Sequence, residues 1–124
     1  MEQKFYICAR CGQIVTKLKD TGVPVVCCGS PMNELVAGVT EASVEKHIPV
    51  VEVNGSNVHV VVGAVEHPMI QEHFIEWVLL ETKNGSQLNH LTPGNAPETN
   101  FVLAEGDEVV SVYAYCNLHS LWKA

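Results

Sequence analysis

The sequence predicts an all-β protein: a small cysteine-held unit, then a β-sandwich or small barrel. Three observations predict it. Apolar residues come in short alternating or continuous runs, and no stretch keeps the 3.6-residue period of an amphipathic helix. Turn-forming residues recur between those runs. Four of the five cysteines lie in residues 1–36, whereas all six histidines and the last cysteine lie beyond them. That segregation points to two sites on two units, with the boundary at Ala37-Gly38 and no long Gly/Ser linker.

Residues 1–36 are too few to bury a core unaided, because chains below about 40 residues need a metal, a disulfide or a partner. Short strands are expected at Phe5 to Ile7, Ile14 to Leu18 and Val23 to Val26, around turns at Gly12, Gly22 and Gly29. In residues 37–124, Val50 to Val53 and Ser56 to Val62 flank Asn54-Gly55, a favoured type I′ hairpin pair. Alternation puts Val51, Val53, Val58, Val60 and Val62 on one face of that hairpin, with Glu52, Asn57 and His59 on the other. Further strands are expected at Phe74 to Leu80, Gln87 to Leu91, Asn100 to Leu103 and Glu108 to Tyr115. Six or seven short antiparallel strands in about 85 residues make a sandwich or small barrel.

Composition narrows the function. Of 124 residues, 47% are hydrophobic and 17% charged, which supports a packed core rather than disorder. Fourteen acidic residues against seven basic ones give a net charge of −7. That balance argues against nucleic acid and against an anionic membrane surface, both of which require clustered basic charge. No apolar run approaches the roughly 18 residues of a spanning helix, and Met1-Glu2-Gln3-Lys4 opens no signal peptide. A soluble, cytoplasmic protein is expected. In a reducing cytoplasm the cysteines act as ligands or nucleophiles rather than as disulfides.

Cys8-Ala9-Arg10-Cys11 is a C-x2-C knuckle, and Cys27-Cys28 follows 16 residues later. Four thiolates suit zinc or a single iron in tetrahedral coordination, and the spacing does not choose between them. The adjacent pair reaches one metal only if the chain bends, since neighbouring side chains in an extended chain point to opposite faces.

Four histidines lie beside turns or at strand ends: His47 before Ile48-Pro49, His67 before Pro68, His73 at the opening of a strand, and His119 near the C-terminus. Cys116 stands three residues before His119, so a bent loop can turn both onto one ion. Four imidazoles and one thiolate suit iron, copper or zinc, exceed the tetrahedral preference of structural zinc, and leave one octahedral position open. His59 reads as a solvent-facing side chain and His90 has no partner nearby in sequence. Trp77 and Trp122 read as core or site-lining residues.

Together these residues resemble the desulfoferrodoxin family, the two-iron superoxide reductases, over nearly the whole chain. Cys8-x2-Cys11 with Cys27-Cys28 resembles its desulforedoxin-type centre. Its catalytic domain is resembled by Glu45-Lys46-His47-Ile48-Pro49, His67-Pro68-Met69 with His73, Phe74-Ile75-Glu76-Trp77, Pro93-Gly94-x2-Pro97, and Cys116-Asn117-Leu118-His119-x-Leu121-Trp122-Lys123. The last motif is the most specific. The resemblance implies a desulforedoxin-like unit (1–36), a seven-stranded immunoglobulin-like sandwich (37–124) and a homodimer. It implies an Fe(Cys)4 centre and a catalytic Fe(His)4(Cys) centre, with His47, His67, His73 and His119 equatorial and Cys116 axial. It also implies one-electron reduction of superoxide to hydrogen peroxide, with electrons from rubredoxin or a similar carrier. Glu45 then supplies the carboxylate of the oxidised resting state. Lys46 adds positive charge beside His47, a local attraction for an anion on an acidic body. The rival readings are a two-centre iron electron carrier without a substrate and a structural zinc protein.

Overall fold

The structure, a computed structural model, describes residues 2–124. The chain divides into two compact units, Met1–Val36 and Ala37–Ala124.

In the first unit, β1 (Phe5–Ile7) is the centre of a three-stranded antiparallel sheet, between β2 (Ile14–Thr16) and β5 (Asn33–Leu35). A two-residue ribbon, β3 (Val26–Cys27) with β4 (Ser30–Pro31), carries the second cysteine pair. Little apolar surface is buried: Phe5, Cys8 and Met32 are enclosed, while Leu18, Val23 and Val26 are exposed. The expected strand at Val23 to Val26 is therefore reduced to its last residue. Without a core face to cover, Val23 gains nothing from pairing.

The second unit is a seven-stranded sandwich. A short helical turn, α1 (Val44–His47), comes first and is closed by Ile48 N–H donating to the Val44 carbonyl at 3.0 Å. Pro49 then excludes further helix, since the residue before a proline is pushed to extended backbone; Ile48 has φ −71° and ψ 122°. β6 (Pro49–Asn54), β7 (Asn57–Val62) and β10 (Glu98–Val102) form one antiparallel sheet in the order β10-β7-β6. β8 (Ile75–Thr82), β9 (Ser86–His90), β11 (Val109–Cys116) and β12 (Ser120–Lys123) form the other, in the order β12-β11-β8-β9.

The core lies between the two sheets. Val58, Val60 and Val62 of β7 meet Ile75, Val78 and Leu80 of β8 and Val112, Ala114 and Cys116 of β11, with Phe101 from β10. Full burial of each of the valine, isoleucine, leucine and phenylalanine side chains stabilises by about 1.5–3 kcal/mol. The hairpin register pairs Val51 with Val60 and Val53 with Val58, so the expected apolar face is correct. Its tip is not covered, and Val53 remains exposed. Glu52 pairs with His59 on the outer face, where His59 contacts Asn100 Oδ1 at 2.7 Å and Glu98 at 3.5 Å. Sequence reading misses α1, β4, β5 and β12. Each is four residues or fewer, too short to carry a period.

Candidate metal centres

The cysteine site is built by two bends. At the knuckle, Gly12 N–H donates to the Cys8 carbonyl at 2.9 Å, and Cys11 N–H points at Cys8 Sγ at 3.4 Å. At the second pair, Cys28 takes φ +51° and Gly29 φ +78°, the left-handed bend that lets neighbouring thiols face one point. Cys8, Cys11, Cys27 and Cys28 have sulfurs within 4.8 Å of one another, and all five cysteines of the chain are free thiols. Four sulfurs about 2.3 Å from a tetrahedral ion lie about 3.8 Å apart; the Cys11 and Cys27 sulfurs lie 3.6 Å apart. The backbone amides of Cys11 and Arg10 lower the Cys8 thiol to about 6, while the neighbouring thiols of Cys11 and Cys8 push Cys27 up. The Cys8 sulfur is thus poised as thiolate, whereas Cys27 and Cys28, both pushed up by their neighbours, give up their protons more readily when a cation compensates the crowding.

The second site gathers residues from three separate segments. His47 ends α1, His67 and His73 lie on the connection from β7 to β8, and Cys116 and His119 flank the turn from β11 to β12. Their donor atoms lie within 4.8 Å of one another. The four imidazoles close a ring. Centroids are 4.6 Å apart from His47 to His67 and from His67 to His73, 5.1 Å from His73 to His119, and 4.9 Å from His119 back to His47. Every neighbour is met edge to face, with interplanar angles of 75°, 82°, 78° and 86°. Cys116 belongs to the core and is fully buried, so its sulfur approaches the ring from inside the sandwich. Glu45 and Lys46 lie on the exposed side of α1.

The hydrogen bonds fix what the imidazoles offer. His47 Nδ1 donates to the Ser43 carbonyl at 2.6 Å, and His67 Nδ1 to the Pro68 carbonyl at 2.7 Å. A carbonyl only accepts, so each ring carries its proton on Nδ1 and presents a bare Nε2. Those two bare nitrogens face each other at 3.1 Å. Lone pair against lone pair at that distance is repulsive unless a cation lies between them. A proton is a poor choice, since burial pushes His67 down to about 4 and lowers His47 as well. His73 Nε2 is buried with no partner. Two nitrogens held side by side about 2.1 Å from one metal lie about 3.0 Å apart; His47 Nε2 lies 3.1 Å from His67 Nε2 and 3.2 Å from His119 Nδ1. The set therefore fits a metal ion, and neutral nitrogen with sulfur selects a transition metal over magnesium or calcium. Burial raises the Cys116 thiol, and the amides of Leu118 and His119 oppose that rise.

The surroundings hold the ring in place. Trp122 stacks on His47 at 4.8 Å and donates its indole N–H to the His119 carbonyl at 2.9 Å. Gly63 lies so close to α1 that an added Cβ would meet the Glu45 carbonyl oxygen at 2.6 Å. His59 and His90, set aside in the sequence, stand outside the group. The carbonyls of Ser43 and Pro68 escape sequence reading because a backbone acceptor carries no residue signature. Gly63, which ends a run of valines, was legible as a close approach of two backbones.

A β-sandwich with a group of five nitrogen and sulfur donors, in one chain with a four-cysteine unit, defines a two-centre transition-metal protein. The sequence pattern of the desulfoferrodoxin family matches residues 39–124, and the chain belongs to that family. It is 44% identical to a desulfoferrodoxin of Clostridium acetobutylicum over 96% of this chain and 93% of that one. It is 42% identical to a desulfoferrodoxin of Nitratidesulfovibrio vulgaris over 99% and 96%. Among solved structures, the superoxide reductase of Treponema pallidum superposes with a TM-score of 0.83 at 39% identity, covering 99% of this chain and 97% of that one. The one-iron superoxide reductase of Giardia intestinalis gives a TM-score of 0.55 at 28% identity, over 64% and 95%.

Proposed function

We propose that this protein is a superoxide reductase: superoxide, one electron and two protons give hydrogen peroxide at the histidine–cysteine centre. The observation that carries the reading is the pair of bare Nε2 atoms of His47 and His67, closed with His73 and His119 into a ring over the buried Cys116. Iron, when bound, supplies the one-electron chemistry at that centre, and a second iron held by Cys8, Cys11, Cys27 and Cys28 supplies electron storage.

The chain's own residues do the rest. His47, His67, His73 and His119 would hold the ion through ring nitrogens, and Cys116 would add a thiolate that donates electron density to it. Lys46 is exposed, and its charge is felt at both His47 and His73, whose protonation it disfavours. On a body of net charge −7, that lysine is the local attraction for an anionic substrate. Glu45, one residue earlier on the same turn, is the carboxylate that would be available to the ion once it is oxidised. One electron enters per superoxide, so an external donor is required, and a rubredoxin-like carrier is proposed. Residues 1–36 act as a desulforedoxin-like domain and 37–124 as the catalytic domain of a homodimer. Its setting is a reducing cytoplasm, where free cysteines persist and superoxide is removed under oxidative stress. Among the described residues no helix is long and apolar enough to cross a membrane.

Metal analysis, a visible spectrum and pulse radiolysis of wild type and Cys116→Ser test this. Wild type should hold two irons, show a thiolate-to-iron absorption distinct from that of the four-cysteine centre, and reduce superoxide. Cys116→Ser should lose that absorption and that reaction. Near-normal turnover in Cys116→Ser would remove Cys116 as a ligand. A colourless zinc protein would end the reading. Iron that exchanges electrons with a carrier and leaves superoxide unreduced would make the protein an electron carrier.

A further inference from the structure

Asn117 lies between two members of the donor group, Cys116 and His119, and bears no metal-binding atom in it. All three of its hydrogen bonds land on the residues flanking a third member, His73. Its Oδ1 accepts from Phe74 N–H at 2.9 Å, its Nδ2 donates to the Glu72 carbonyl at 3.0 Å, and its own N–H donates to the Phe74 carbonyl at 3.2 Å. The backbone N–H and C=O of His73 are exchanged with Ile70, both at 3.1 Å, a tie within the same connection. That bridge is isolated, outside the named strands. The His73 segment is therefore tied to the cysteine turn through Asn117.

We propose that Asn117 is a positioning residue of the metal centre: it clamps the His73 segment onto the Cys116–His119 turn and so sets how tightly the ring holds its ion. The physical case is geometric. His73 Nε2 is buried with no hydrogen-bond partner, as a nitrogen facing the ion would be, and the ring meets those of His67 and His119 edge to face. Its aim is set by the backbone on either side, and Asn117 grips that backbone at both neighbours. Groups that orient metal ligands typically change metal affinity by about 10- to 100-fold when removed. The inference rests on the metal-site reading above but not on the identity of the substrate.

The test measures iron retention, not turnover. Iron-loaded wild type, Asn117→Ala, Asn117→Asp and Asn89→Ala are challenged with a chelator, and release from the histidine–cysteine centre is followed by its absorption. Asn89 is the control. Its Nδ2 makes two bonds of like length, 2.8 Å to Thr99 Oγ1 and 3.0 Å to the Asn100 carbonyl, away from the ring. Asn117→Ala should release iron roughly 10- to 100-fold faster than wild type and shift the absorption band. Asn117→Asp keeps the acceptor for Phe74 N–H and loses the donor to Glu72, so it should fall between the two. Hydrogen exchange at the Phe74 amide should quicken in the same order. Asn89→Ala should lower thermal stability without changing release or band. If Asn117→Ala releases iron at the rate of Asn89→Ala with an unshifted band, the proposal is wrong. Should Asn117→Ala fail to fold, Asn117→Asp decides: wild-type release and wild-type Phe74 exchange overturn the clamp. A wild type that holds iron but ignores superoxide overturns the proposed activity and leaves the clamp standing.

Discussion

Replacing Gly63 by alanine tests whether the approach of α1 to the end of β7 sets the active face. Gly63 has no positive φ, so backbone contact rather than φ strain decides the effect of a methyl group there. The added Cβ would stand 2.6 Å from the Glu45 carbonyl oxygen, 2.9 Å from the Lys46 carbonyl carbon and 3.0 Å from the Ile48 carbonyl oxygen. All three are backbone atoms, so no flexible side chain swings away. Ordinary contact begins at 3.4 Å, so the 45–48 segment retreats by about 0.8 Å. Overpacking of this kind costs about 1–3 kcal/mol. In a unit of this size each kcal/mol lowers Tm by about 4–8 °C, which gives a loss of roughly 4–24 °C. Glu45, Lys46 and His47 move together, and Val65 N–H, which donates to the Glu45 carbonyl at 3.0 Å, loses its acceptor. A misplacement near 1 Å costs about 100-fold in rate in a positioned site. Gly85→Ala is the matched comparison, since that glycine also has an ordinary φ and nothing within 4 Å of its added Cβ. It should hold or slightly raise Tm, because alanine restricts the unfolded chain. Calorimetry and pulse radiolysis on both variants decide. If Gly63→Ala matches Gly85→Ala in Tm and in superoxide rate, the close approach does not position the site.

Lys46→Ala should slow the second-order reaction with superoxide roughly tenfold and flatten its dependence on ionic strength, whereas Glu45→Ala should leave the rate unchanged or slightly faster. Parental rate and salt slope in Lys46→Ala, measured by pulse radiolysis at two salt concentrations, would return Lys46 to being a solvated lysine. Cys11→Ser should reduce iron from two per chain to one and leave the histidine–cysteine absorption intact, as the two ligand sets share no residue. Loss of both irons, read by metal analysis, would show the centres to be interdependent. Asp107 accepts from Thr82 Oγ1 at 2.7 Å and from the amides of Glu108 and Asn84 at 2.9 and 3.1 Å. These bonds, the threonine's first, hold its carboxyl below the usual range. A depressed folded pKa stabilises above the unfolded value of about 3.9 and loses that contribution as pH falls through the folded value. The Tm difference between wild type and Asp107→Asn should therefore be full near neutral pH and close below about pH 4. A difference that does not narrow at all as pH falls below about 4 would remove the carboxylate from the account.

Strand periodicity made most of the sandwich legible. Val58, Val60 and Val62 alternate with Asn57, His59 and Val61, and the structure buries the first set completely. What periodicity cannot reach is the short element. α1 is one turn whose N-cap Ser43 makes no side-chain bond, yet it aims His47 inward and Lys46 outward. The Ser120 to Lys123 strand was hidden inside a ligand motif, and its pairing of Trp122 with Ala114 turns the indole toward the core. Ligand identity was legible from residue type and turn position. Ligand tautomer was not, because it depends on carbonyls that any residue supplies.

The two units depend on metal to different degrees, and the reason is how each spends its apolar residues. The sandwich buries three valines of β7, with Ile75, Val78 and Leu80, to near-zero exposure. Its four histidines lie on segments outside that core, and Cys116 alone of the five donors belongs to it. Removing the ion from the ring leaves repulsion between two imidazole lone pairs, which a small opening of the turns relieves while the sheets stay paired. In the cysteine unit the buried apolar residues are Phe5, Cys8 and Met32, and one of those three is itself a ligand. Five short strands with so little enclosed surface cannot offset the backbone entropy of about 1–2 kcal/mol per ordered residue. There the ion is the core, and binding free energy is folding free energy. Chelation should therefore melt residues 1–36 outright while the β-sandwich keeps its slow-exchanging amides, an asymmetry set by where the valines are.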